Sequence, residues 1–389
     1  MKEIKNIIKT ILYYLAKKPH KLKLFNNSTS SLLYESDKHY FYGYYDRSPE
    51  NNGRLLFHEM SANESEVNIV VMDISTKKRH IVGKSRAFNW QMGARAIWID
   101  DDIISYNDYD GNKYVCIWYS LKKQSIVKFF NIPLQDIKGK NYYLGVNYQR
   151  LRSYAKEYAY YCLPEMTTDE FDTYSNDGIW HMDISNNHSS LLLSISDILS
   201  CDYKKQFDRG KHFVNHIMIA PSGQAFIFIH RYYINDKRYD RLMYYDFKSL
   251  KCLMSEPCQS HYCWLDDNTI FGYGEHNGKK GFYEVDVNSV KITKHSILTS
   301  KHPRDGHPTV FDNWIVVDDY PNFSRMQSLT AYNRKTKEIR PLGEFFHDLQ
   351  HYGFNRCDLH PRFSNDGKNI YIDTIYSGNR LLLLLDVNL

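Results

Sequence analysis

One unit recurs along this chain of 389 residues, and it limits the fold more than any other feature. Each copy has a polar or His-bearing start, a Ser/Asp-Gly turn, an apolar strand, a polar gap, a strand ending in Asp, and a further turn. The clearest copies are NHIMIAPSGQAFIFIHRYY…DRLMYYDF (215–247), LHPRFSNDGKNIYIDTIYSGNRLLLLLDV (359–387) and YGYYDRSPENNGRLLFHEM…VNIVVMDI (42–74). Weaker copies occupy 98–120, 158–184, 262–287 and 307–333. Seven units of about 50 residues fit the four-stranded blades of a β-propeller. A single blade exposes two apolar faces, so blades must stack in a ring that buries both. A parallel α/β sheet is excluded because its helical connectors are missing. The final run LLLLLDVNL supplies a third strand and no fourth, so SLLYESD (31–37) is expected to add the outer strand that shuts the ring. The predicted fold is therefore all-β: a seven-bladed propeller over 29–389, preceded by a helix and linker over 1–28.

That leading segment has its own character. Ile4, Ile7, Ile8, Ile11, Leu12 and Leu15 share one helical face, with Lys2, Lys5, Lys9, Lys17 and Lys18 elsewhere. A basic amphipathic helix of this kind suits docking of residues 1–25 on an anionic membrane face or on a partner. Packing on its own domain is the plainer alternative. Lys9 interrupts the apolar run and no small-residue cleavage site follows, which argues against an export signal. No apolar run reaches the roughly 18 residues of a spanning helix. The seven Cys are odd in number and lack a CxxC pair, which argues against a disulfide framework or zinc ribbon and fits a reducing compartment. The expectation is a cytoplasmic protein, peripheral on the inner membrane. A net charge of +5 with no Lys/Arg stripe gives no reason to invoke nucleic acid.

In a propeller, equivalent positions of successive inner strands converge at one end of the central channel. Aligning the units puts Tyr44 with Asp46, Gln91, Tyr148 with Arg150, His216, His261, His307 and His360 at that place. A lone His at a strand start is ordinarily bonded to a neighbouring turn; four consecutive units carrying one point to a shared site. His230 with Arg231, Tyr262, Asp305, Tyr320, Arg356, Asp358 and Arg362 flank the same mouth. There is no GxSxG elbow, Walker loop, GxGxxG or HExxH. Imidazoles, guanidiniums and phenols together suit holding an acidic sugar, neutralising its carboxylate and moving a proton. The 15% aromatic content, rich in Tyr, fits half-buried strands and stacking on sugar rings alike. Several imidazoles could instead hold Mn²⁺ or Zn²⁺, with His261, His307 and His360 as the ligand candidates.

The stretches NHIMIAPSGQAFIFIHR, SHYCWLDDNTIFGY, DGHPTVFDNWIVVDDYP and RCDLHPRFSNDGKNIYIDT resemble successive blades of the oligogalacturonate-lyase-like propellers. More distantly they are similar to the ulvan lyases and the TolB-type repeat. The resemblance covers roughly residues 40–389. It implies β-elimination on a uronate, in some members with a divalent metal. It points to His216, His230, His261, His307 and His360, with Arg231 and Tyr262 adjacent. The family's compact Gln/His metal cluster is not evident in the sequence, where His347, Gln350 and His351 are the nearest equivalents.

Three functions follow as expectations. The first is a lyase-like enzyme acting on an acidic polysaccharide, with His216, His230, Arg231, His261, Tyr262 and His307 catalytic. Tyr44, Asp46, Gln91, Arg150, Tyr320, Arg356 and Arg362 would then bind substrate. The second is a glycosyltransferase or accessory protein of capsule or O-antigen assembly that holds a lipid-linked glycan. The third is a non-catalytic propeller that binds a glycan or protein.

Overall fold

A computed structural model describes residues 2–15, 21–25, 28–31, 37–61, 65–255, 257–387 and 389. Seven antiparallel sheets form the blades of a propeller. Blade 1 spans Lys38–Ser85, blade 2 Ile97–Phe130, blade 3 Asp136–Ser194 and blade 4 Lys211–Met254. Blade 5 spans Gln259–Lys294, blade 6 Pro308–Phe346, and blade 7 begins at Arg362–Phe363 and runs to Leu381–Asp386. Ser28–Ser31 is the fourth strand of blade 7, with Ser28 opposite Asp386 and Ser31 opposite Leu383. The closing strand thus lies earlier than SLLYESD; residues 32–36 are outside the described residues. Leu22–Leu24 adds a fifth strand to the outer edge of blade 6.

The turn between third and fourth strands explains the recurrent Asp. Asp73, Asp183, Asp246, Asp286 and Asn333 each accept backbone N–H bonds from residues two or three further on, for example Thr76 N at 2.8 Å and Ser249 N at 2.7 Å. The side chain closes an Asx turn, and most of these turns then contain one residue at positive φ: Lys77, Asn187, Val290 and Lys337. Between blades the apolar faces interlock. Ile229, Leu242 and Tyr244 of blade 4 pack with Tyr262, Trp264 and Val285 of blade 5.

Blade 3 departs from the repeat. Its second strand, Tyr142–Val146, is separated from its third, Gly178–Asp183, by residues 147–177, which carry two short helices, Tyr148–Tyr154 and Thr168–Asp172. The unit expected at 158–184 therefore contains only one strand of the blade. The helix Lys2–Leu15 is described, and its described side chains, among them Ile7, Ile8, Ile11, Leu12 and Leu15, are all exposed. Among the described residues no helix is long and apolar enough to cross a membrane.

Candidate functional site

Four blades deliver one imidazole each to the channel. His216 and His261 come from inner strands whose pairing shifts between Asn215 and Met218 and between Gln259 and Tyr262. The bulges leave both histidines out of the ladder and re-aim their side chains inward. His307 and His360 stand just before the inner strands of blades 6 and 7. The rings form a chain, with centroids 5.2 Å apart from His216 to His261, 4.0 Å from His261 to His307 and 4.2 Å from His307 to His360. All four are buried. His216 and His360 hold φ of +53 and +45, a left-handed backbone that costs a β-carbon residue energy and persists only where packing fixes it.

Blade 1 supplies two phenols. Its inner strand is interrupted: Lys38–Phe41 and Glu50–Asn51 both pair with Arg54–Ser61, and residues 42–49 loop into the channel between them. Tyr44 on this loop hydrogen-bonds His216 Nδ1 and stacks on its ring. Tyr45 lies 5.3 Å from His307 and donates to the Tyr262 carbonyl at 2.9 Å. A third phenol, Tyr158, comes from the blade 3 insertion; its hydroxyl is 3.5 Å from His261 Nε2 and its ring 4.7 Å from that of His216. Neither Tyr45 nor Tyr158 is among the residues that alignment of the units put at the channel mouth.

Carboxylates fix the imidazoles. Asp318 accepts from His307 Nδ1 at 2.9 Å and from the backbone N–H of His307 and His360 at 2.6 and 2.9 Å. Gly306 makes this approach feasible, since a β-carbon there would collide with the Asp318 carbonyl. Asp305 lies 3.4 Å from His261 Nδ1 and accepts from Ser260 Oγ at 2.5 Å. Asp318 is a further residue absent from the sequence-based set; its only mark is an acidic pair ending the apolar run WIVVDDY.

The electrostatics follow from burial. Desolvation pulls His216, His261 and His360 well below the usual imidazole range, helped by Arg231 at His216, by His307 at His261 and by His307 and Arg362 at His360. His307 is pulled down by burial too, but the Asp318 carboxylate outweighs that and leaves it above the usual value. Burial would raise Asp358, yet the Arg356 guanidinium, bidentate at 2.6 and 2.7 Å, holds it lower.

His307, Asp358 and His360 place ligand atoms within 4.8 Å of one another, all buried. Nε2 of His307, of His360 and of His216 has no hydrogen-bond partner. Orphaned imidazole nitrogens beside a carboxylate suit a divalent cation such as Mn²⁺ or Zn²⁺. The expected triad of His261, His307 and His360 is corrected in one member: Asp358 takes the place of His261, whose Nδ1 faces Asp305. The loop alternative is also set aside. His347 Nε2 accepts the Cys357 N–H, and His351 pairs with Asp348 at 2.8 Å.

The flanking residues divide. Arg231 lies 3.3 Å from Asp240 and close enough to depress His216, and Arg356 covers the Tyr320 ring at 4.7 Å, which stands 5.8 Å from His307. Gln91 holds the Arg356 carbonyl at 2.8 Å. Five others are held by other contacts. His230 hydrogen-bonds His212 at 3.0 Å inside blade 4, because neighbours on a strand face opposite sides and Arg231 takes the mouth. Tyr262 turns from His261 into the interface of blades 4 and 5 for the same reason, donating to Gln259 Oε1 at 2.6 Å. Arg150 sits on the insertion helix, bound to Asp177 at 2.5 Å and to the Phe171 carbonyl at 2.6 Å. Arg362 ties Asp373 to the Gly43 carbonyl at 3.0 and 2.9 Å. Asp46 pairs with Arg95 at 2.7 Å and lines a cavity of about 270 Å³ with Trp264 and Thr309.

Arg356 also edges a cleft of about 590 Å³, which Glu157 and Tyr233 line with it. No family model and no curated protein sequence matches the chain. Solved structures do. An oligogalacturonate lyase from Vibrio parahaemolyticus aligns with TM-score 0.64 at 13% identity, covering 94% of this chain and 96% of its own. An oligogalacturonate lyase in complex with manganese gives 0.63 at 15%, covering 95% and 98%. The β-propeller domain of the Trilobed protease from Pyrococcus furiosus gives 0.53 at 11%, covering 89% and 94%. At these identities the likeness is one of architecture, and the chain has the seven-bladed propeller fold of the oligogalacturonate lyases.

Proposed function

We propose that the protein is a lyase-like enzyme that cleaves a uronate-containing polysaccharide by β-elimination, with a divalent cation held by His307, Asp358 and His360. The observation that carries this reading is the convergence of four imidazoles with Tyr44, Tyr45 and Tyr158, next to an arginine, Arg356, that also lines an open cleft. The manganese complex of a lyase neighbour supports the choice of ion. When bound, the cation withdraws charge from the sugar carboxylate and so acidifies the adjacent C–H.

The remaining work falls to the side chains. His261 is the base: Nδ1 is held by Asp305 and Ser260, which leaves the Nε2 lone pair to take the C5 proton. As C4=C5 forms and the C4–O bond breaks, the departing oxygen takes a proton from Tyr158, whose hydroxyl lies 3.5 Å from the same Nε2. Arg356 and Arg231 offset the negative charge of the substrate. Incubation with polygalacturonate and other uronate polymers, followed by ultraviolet absorbance of the unsaturated product, tests the reading. Absence of that product with every acidic polymer, with Mn²⁺ or Zn²⁺ supplied, would overturn it.

A second reading concerns place. The exposed Ile7, Ile8, Ile11 and Leu15 beside Lys5 and Lys9 favour work at an anionic membrane surface, on a lipid-linked glycan of surface-polysaccharide assembly. Sedimentation with phosphatidylserine vesicles but not with phosphatidylcholine, lost in Ile7→Ser/Ile11→Ser, is the expected result. Equal recovery with both vesicles would remove the argument.

A further inference from the structure

The cleft that Arg356 edges does not stand alone. A second hollow, of about 450 Å³, extends outward past Trp90, Tyr109 and Tyr161. Lys156, Glu157 and Phe354 line both, so the two are lobes of one groove. Their linings differ: the inner lobe carries Arg356 and Asp236, the outer is walled by aromatic rings.

Three features of the outer lobe point to a ligand. Tyr161 and Phe354 are 43% and 57% exposed, with ring centroids 6.3 Å apart, and paired large apolar side chains left in water mark binding surfaces. Arg86 lies 5.1 Å over the Tyr109 ring, a cation fixed at the rim of the same hollow. Asn89 is 5% exposed and its amide is pinned, because Oδ1 accepts the Gln91 and Met92 N–H groups at 3.0 and 2.7 Å; its Nδ2 has no acceptor. A buried donor without a partner beside aromatic faces matches a pyranose ring, which offers C–H faces to the rings and oxygens to donors.

We infer that the outer lobe holds the next sugars of a glycan whose reacting unit lies at the imidazoles, and that the protein reads chain length. This rests on the uronate reading above. Its continuity with the inner lobe through Lys156, Glu157 and Phe354 argues for the same chain rather than a separate partner.

The test uses digalacturonate and hexagalacturonate as probes, with dissociation constants measured by calorimetry on the full chain. The hexamer is expected to bind about ten-fold more tightly than the dimer, the size of one or two stacking contacts. Tyr161→Ala should reduce that ratio to about two-fold, while Tyr161→Phe, which keeps the ring and loses only the hydroxyl bond to the Lys156 carbonyl, should preserve it. Equal affinity for both lengths in the unmodified protein, or an unchanged ratio in Tyr161→Ala, overturns the groove and leaves the site reading standing. Binding of neither probe or any other uronate overturns the uronate reading, and this inference with it.

Discussion

Asp318 clasps His307 by its side chain and its backbone at once, through Nδ1 at 2.9 Å and the amide N–H at 2.6 Å. The pairing fixes the ring's orientation and leaves Nε2 free toward His360. Asp318→Asn keeps one acceptor for the backbone but cannot hold the imidazole as firmly. Mn²⁺ affinity measured by calorimetry should fall about 10- to 100-fold, as for other residues that orient metal ligands.

His360 itself offers a cleaner deletion. Its φ of +45 suits Asn better than Ala, so His360→Asn removes the imidazole with little backbone penalty. Circular dichroism should be unchanged, and uronate cleavage should be lost. In the unmodified protein, EDTA should abolish the product and added Mn²⁺ should restore it. Full activity after exhaustive chelation would remove the metal from the scheme.

Gly306 sits where a side chain would strike the Asp318 carbonyl. Gly306→Ala must therefore push His307 and Asp318 apart. A loss of about 2 kcal/mol in urea unfolding is expected, accompanied by loss of metal binding.

The blade interiors predict a pH response of stability. His58 Nε2 accepts the Ala94 N–H at 3.0 Å, which requires the neutral ring, and burial pushes its pKa down to about 4 from 6.5. The unfolded chain therefore binds the proton more readily. Stability is complete above about pH 6.5 and is lost as the pH falls toward 4, by on the order of 3 kcal/mol for this group. Urea midpoints at pH 7 and pH 5 check the sign, and His58→Gln should flatten the difference.

Much of this was legible in the sequence for one physical reason. The start of an inner strand returns once per blade, so His216, His261, His307 and His360 could be placed on one rim without coordinates. The same argument misplaced His230 and Tyr262, because the alternation of a strand sends each to the face opposite Arg231 and His261. The register also put Arg150 at the rim and passed over Tyr158: residues 147–177 interrupt blade 3, and an insertion has no equivalent in neighbouring units to align with. Asp318 ends a second strand rather than starting a first, so no repeat position singled it out.

The strand Ser28–Ser31 lies beside Leu381–Asp386. During synthesis on a ribosome, the earlier partner must wait, unpaired, while all seven sheets are made. Blades 1 to 5 can condense as they emerge, but blade 7 is complete only when strands far apart in the sequence meet, and blade 6 likewise takes its edge strand from Leu22–Leu24. Completion of the ring is therefore a late, long-range event. Until then the imidazoles of blades 4 to 7 and the phenols of blade 1 belong to an open arc, and the pocket they share comes into being only when Ser28–Ser31 meets Leu381–Asp386.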